Sequence, residues 1–205
     1  MLSKLSHFDL VDGFVPDFLH CFLLGVARQL LSLWFDSNNH DSPWYIGQPS
    51  KHAMFESHLK NIVVPKDVRR LPRSISAREH WKGNEYKSFA LYYSLIILPG
   101  ILPPQYLNHY FLFVWSLHQL LGTSISPDDL NKVKAALHLF IVKMEELYEV
   151  AYCSFNVHRL SHLARSTQMC GPLWAVSTVV FESNNATLKN MVQGTQYVSD
   201  QVCQT

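Results

Sequence analysis

Charge is what this sequence has least of. Asp, Glu, Lys and Arg together make up 16% of its 205 residues, and the formal net charge is +1. Such a balance supplies no global attraction toward nucleic acid or acidic lipid. A chain so poor in charge either buries much of its surface or packs against something else. Cysteine is scarce as well: Cys21, Cys153, Cys170 and Cys203 form no CxxC pair. That argues against a disulfide framework and for a reduced, intracellular chain. The first residues carry no apolar run with a small-residue cleavage site, so no signal peptide is read there. The Asn185-Ala-Thr187 sequon therefore carries no weight. There is no nucleophile elbow, no phosphate-cradling glycine loop, no HExxH and no zinc-finger spacing. Alternating strand patterns are missing too, except at 174–181, where one short strand is expected.

From Ser88 to Pro127 the sequence holds no Asp, Glu, Lys or Arg at all. Pro99, Pro103 and Pro104 divide this run into pieces shorter than the ~20 residues of a spanning helix. Asn108, His109, His118 and Gln119 sit in the second piece. Two buried core helices are expected, and no membrane.

What is present reads as helix almost throughout. Pro16 and Asp17 open an apolar stretch over 17–35, with Asp17 suited to the positive end of the helix dipole. Apolar residues fall on nearly every face, so this helix should be central. Residues 36–50 have loop composition. A short helix over 51–62 and an irregular segment over 63–75 follow. Ser76 and Glu79 fit a capping box, predicting a helix over 77–98 despite Gly83. A helix over 105–121 comes next, closed by Gly122. Ser126 and Pro127 mark the start of another. Val133, Leu137, Phe140, Ile141, Met144 and Leu147 then recur at three- and four-residue steps to about 151. Residues 155–168 are helical by pattern, Gly171-Pro172 breaks the chain, and a last helix is expected over 180–193.

Local charge is less even than the total. Residues 51–90 hold Lys51, Lys60, Lys66, Arg69, Arg70, Arg73, Arg78, Lys82 and Lys87 against Glu56, Asp67, Glu79 and Glu85, an excess of five positive charges. This segment is either a contact for a phosphate backbone or a solvated basic surface.

Two histidine motifs carry the candidate chemistry. Asp17 and His20 are three residues apart and share a helix face, as do His158 and His162, four apart. Together they would supply four zinc ligands of accepted types. The alternative is ordinary histidine, of which the chain has 11. Glu182 follows Val179-Val-Phe and is either a metal carboxylate or a first-turn acid favoured by the dipole.

The string Asp17-Phe-Leu-His-Cys-Phe-Leu-Leu-Gly-Val26 resembles the Asp-x-Met-His…Leu-Gly-Val motif of CACTA-type (En/Spm-like) transposases. Trp81-Lys-Gly-Asn-Glu-Tyr-Lys-Ser-Phe89 and Leu98-Pro-Gly-Ile-Leu102 look like the helical segment that follows in that family. Asn156-Val-His-Arg-Leu-Ser-His162, Gly171-Pro-Leu-Trp174 and Phe181-Glu-Ser-Asn-Asn185 resemble its C-terminal block. The motifs span roughly 5–195, and their order is more specific than any one of them.

The resemblance implies an RNase H-like domain interrupted by a helical insertion, cutting DNA with two metal ions held by an Asp, Asp, Glu triad. Glu182 takes the place of the triad glutamate. Asp17 and His20 match the pair that follows the second aspartate, and His158 and His162 match histidines ahead of the glutamate. The resemblance further implies structural Zn2+ on those four residues, Mg2+ or Mn2+ in a complete parent enzyme, DNA as partner and a nuclear location. Both aspartates should lie on strands upstream of Asp17. Only Asp9 and Asp12 are found there, with no strand pattern around them.

The expectation is a mainly α chain: a helical insertion-domain bundle with a fragment of an RNase H-like core whose sheet is largely missing. Residues 1–16 would be the lead-in, 17–168 the insertion and 169–205 the C-terminal core segment. It would be inactive in DNA cleavage by itself. The competing expectation is a helical interaction module with no DNA role, whose exposed apolar surface takes a protein partner.

Overall fold

The computed structural model describes residue 9, residues 13–63 and residues 73–191. The described residues are mainly helical and include no strand. Residues 1–8, 10–12 and 192–205, with Asp12 and Cys203, lie outside them, as do Lys66, Arg69 and Arg70.

The first helix, α1, is Phe18–Ala27 wound as a π-helix and continued by the α-helix Arg28–Phe35. Pro16 is buried, and Asp17 sits at the positive end of the helix as its N-cap: its carboxylate accepts the backbone N–H of His20. The apolar residues on every face are buried on every face, Phe22, Val26, Leu30 and Trp34 completely. Phe18–Phe35 is long and apolar enough to cross a membrane by length and composition, and 72% of it is buried among the other helices.

The segment between α1 and α2 (Pro49–Asn61) is irregular, as its composition predicts, but it is not a surface loop throughout. Trp44 and Ile46 are buried, and the Ile46 N–H donates to Trp34 O. Trp44 stacks among Tyr106, Tyr148 and Tyr152.

The helix expected over 77–98 begins later. A 3-10 turn, Ile75–His80, is capped by Ser74, whose hydroxyl accepts from the N–H of Ser76; the Ser76–Glu79 box does not form. Trp81 and Lys82 are extended, and α3 starts at Gly83, running as Gly83–Ser88, a π-turn Phe89–Tyr93, and Ser94–Ile97. The cap comes from Glu85, which accepts the Lys82 N–H at 2.9 Å and is held by Arg73 Nε at 2.8 Å. A partner twelve residues upstream therefore sets this start. The Arg73 guanidinium beside it holds the Glu85 carboxyl down at about 2.

The uncharged run forms the expected pair of core helices, α3 and α4 (Pro104–Leu120), joined through Gly100 at φ +79°. The fifth, α5 (Pro127–Tyr148), has the predicted cap, Ser126 Oγ accepting from the N–H of Asp129. Of the predicted stripe it buries Val133, Leu137, Phe140 and Met144, with Tyr148 beyond them, and leaves Ile141 and Leu147 half-buried. It ends three residues early, because Glu149 turns to φ +74°. Then come α6 (Phe155–Cys170) and α7 (Val179–Met191). The strand expected over 174–181 is instead a 3-10 turn, Leu173–Val176, leading into α7.

One hydrophobic core runs from Phe18 to Leu173. In it α1 lies against α3 and α6, α4 packs on α5, and α5 on α6. Aromatic contacts join the layers: Phe22 meets Phe113 at 5.4 Å, and Trp34 meets Tyr110 edge-on at 5.1 Å. The Trp34 indole N–H donates to Tyr148 Oη at 3.0 Å, satisfying a group that burial would otherwise leave unpaired. Close approach of α6 to α1 depends on Gly25. A Cβ there would meet the Asn156 side chain at 2.8 Å.

Candidate functional site

The two chain ends with candidate chemistry meet. After α6 the chain reverses at Gly171, φ +87°, a conformation that favours glycine. Leu173 anchors the returning segment in the core. Thr178, the residue before α7, then donates its N–H to Asp17 Oδ1 at 2.8 Å. Asp17 thus caps two helix starts at once, its own through His20 N–H on Oδ2 at 2.8 Å and that of α7 through Thr178. Burial pushes the Asp17 carboxyl up, but the two backbone N–H groups and the imidazole together hold it below the ordinary aspartate value.

His20 lies between two acids. Its Nδ1 is 2.8 Å from Asp17 Oδ2 and its Nε2 is 3.2 Å from Glu182 Oε1, in the first turn of α7. The ring spans the two carboxylates, one nitrogen against each. The Asp17 side chain is 15% exposed, that of His20 54% and that of Glu182 49%. Glu182 therefore faces solvent at the edge of the site.

His158 and His162 form the second half, on α6. Their Nε2 atoms are 3.4 Å apart with the rings inclined at 72°. Two imidazole nitrogens bound to one tetrahedral zinc at about 2.0–2.1 Å stand about 3.4 Å apart. The pair thus has the spacing of two ligands of a single metal ion. Asp17, His20 and Glu182 are arranged differently. The imidazole points its nitrogens at different carboxylates, so the three do not converge on one point, and both Asp17 oxygens already accept N–H donors. Among the described residues no group of three or more His, Cys, Asp or Glu is placed to hold a metal ion. The four expected ligands stand as two pairs.

Cys21, between the pairs in sequence, is a core residue. Its thiol donates to Asn156 O at 3.6 Å, and burial pushes it up to about 11, so it stays protonated.

The basic segment over 51–90 is partly neutralised, once from within and once by an acid outside it. Arg73 pairs with Glu85, while Arg78 pairs with Asp36 and lies over the Phe35 ring.

Sequence reasoning named Asp17, His20 and Glu182 but missed Thr178, whose part is played by its backbone and leaves no side-chain signature. Compared with protein-family models, curated proteins and solved structures, the chain matches none.

Proposed function

We propose that this chain is a transposase-derived fragment of the CACTA (En/Spm-like) type, the helical insertion plus the glutamate-bearing helix of a metal-dependent DNA-cleaving core. The observation that supports this reading most is the contact of His20 with Glu182 at 3.2 Å, joining the Asp-x-x-His motif to the C-terminal block. In a complete parent, Glu182 would be the triad carboxylate. Mg2+ or Mn2+ held there with two aspartates would supply Lewis-acid stabilisation of an attacking water and a leaving oxygen. In this chain Asp17 and His20 are positioning residues. They fix the start of α7 and hold Glu182 at the solvent edge, where duplex DNA has access. His158 and His162 are the two residues whose spacing fits zinc, as a structural half-site. The reading carries a nuclear location with it. By itself the chain is expected not to cleave DNA, because Asp17, the carboxylate joined to Glu182 through His20, is occupied as a double cap.

The test is a longer reading frame. Two aspartates on predicted strands upstream of Asp17 are expected. The extended protein should nick duplex DNA in Mn2+, and Glu182→Gln should abolish nicking with the melting temperature unchanged. Nicking that survives Glu182→Gln would overturn the proposal.

A second reading, a helical interaction module, rests on exposed apolar side chains near the C-terminal helix. Trp174 is 54% exposed and Phe181 68%, both on the segment that carries α7. Large exposed aromatics of this kind mark contact surfaces. A stable complex with a protein partner that displaces no DNA would favour it.

A further inference from the structure

The His158–His162 pair has the spacing of half a zinc site, and the other half is not in this chain's described residues. The two Nε2 atoms stand 3.4 Å apart on α6, with His158 exposed and His162 half-buried. A closed zinc site takes four ligands in a tetrahedron. The two expected from α1 are committed elsewhere. Both Asp17 oxygens accept backbone N–H groups, from His20 and from Thr178. The His20 ring sets one nitrogen against Asp17 and the other against Glu182. Cys21 is buried, with its thiol donating to Asn156 O. Among the described residues no third His, Cys, Asp or Glu is placed to join the pair on one ion. The missing ligands therefore have to arrive from another molecule.

We infer that a second copy of this chain completes the site. Two α6 helices, antiparallel across a two-fold axis through the metal, hold one zinc ion between the His158–His162 pair of each. A two-fold contact places the same patch on both sides. Pair then meets pair, and four imidazoles make the tetrahedron with no other residue type needed. The axis crosses α6 between the two histidines. Phe155 lies one turn before His158 on the same face of the helix and is 73% exposed. In the dimer the two Phe155 rings flank the ion, one on each side, and lose part of their contact with water. The metal bonds, rather than a broad apolar face, join the copies, so removing the ion should separate them. The inference rests on the zinc half-site proposed above. It uses neither Glu182 nor DNA, so it holds whether or not upstream aspartates are found.

Analytical ultracentrifugation of the full chain in a reducing buffer, titrated with zinc chloride, tests the inference. A monomer is expected in chelator and a doubling of mass in zinc, with about one ion per two chains in the dimer fraction. His158→Ala and His162→Ala should each stay monomeric at zinc concentrations that convert the wild type, with unchanged circular dichroism as the check on folding. Phe155→Ala should weaken the zinc-dependent dimer several-fold. Replacing the exposed thiols, Cys153→Ser with Cys170→Ser, should leave dimerisation as in the wild type. One ion per chain on a monomer would keep the half-site and overturn the second copy. No zinc uptake at all would remove the half-site and the dimer together. A dimer that persists in chelator, or in His158→Ala, would place the contact on another face and overturn the inference.

Discussion

The imidazole of His20 bridges the two ends of the chain, Nε2 to Glu182 Oε1 at 3.2 Å on one side and Nδ1 to Asp17 Oδ2 at 2.8 Å on the other. The His20 and Glu182 side chains are about half exposed, and such pairs contribute about 0–1 kcal/mol. Replacing His20 by Ala should therefore leave global stability nearly unchanged. It should speed amide hydrogen exchange in α7 relative to α4 and α5, since the contact bears on local docking.

Asp17 matters more, because one carboxylate caps two helices. Losing an N-cap costs about 1–2 kcal/mol. Asp17→Ala should lower the unfolding free energy by at least that much and release the start of α7. Its carboxyl titrates below the ordinary aspartate value in the folded chain. Its stabilisation is thus fully present above the unfolded value and is lost as pH falls through the lower, folded one. Denaturant titrations of wild type and Asp17→Asn should converge as pH drops below about 4.

His109 predicts a second pH effect. It is buried, stacked on the Phe140 ring at 4.1 Å with Nε2 2.8 Å from Phe140 O, while Nδ1 has no partner. Burial lowers it to about 4. The unfolded chain therefore binds a proton that the folded chain refuses between pH 6.5 and 4, and stability falls across that window by about 3 kcal/mol. His109→Phe should flatten urea-unfolding stability over the same range.

Metal binding is the fourth point. If His158 and His162 chelate zinc, the purified chain takes up an ion that His162→Ala does not, and zinc raises the melting temperature of wild type alone. Equal melting temperatures with and without zinc would leave the pair as surface histidines.

Backbone strain gives two opposite substitutions. Glu149 holds φ +74°, ψ 154°, a region that is essentially glycine's. Glu149→Gly should raise stability by about 1 kcal/mol. At Gly171, φ +87°, a Cβ meets nothing within 4 Å, so Gly171→Ala should cost only the conformational strain, about 1 kcal/mol, and loosen α7.

The parts of this fold legible in the sequence are those set by near neighbours. Ser126 and Pro127 announced α5, the three-and-four spacing announced its buried stripe, and the apolar content of 17–35 announced a central helix. Distant partners left no such sign. Arg73 fixes the start of α3 through Glu85, so the Ser76–Glu79 pattern misled. Trp44 fills the core from a segment whose composition reads as loop. No spacing in the sequence marks the π winding of α1 over Phe18–Ala27. At the site, Asp17 and His20 were visible as a motif. Their union with α7 depends on a reversal at Gly171 and on a backbone N–H at Thr178.

The meeting of α1 with α7 is best tested by nuclear Overhauser effects from the His20 ring protons. The account predicts cross-peaks to the side chain of Glu182 and to the amide of Thr178 in the isotope-labelled chain. His20 ring protons in contact only with residues of α1 would contradict it.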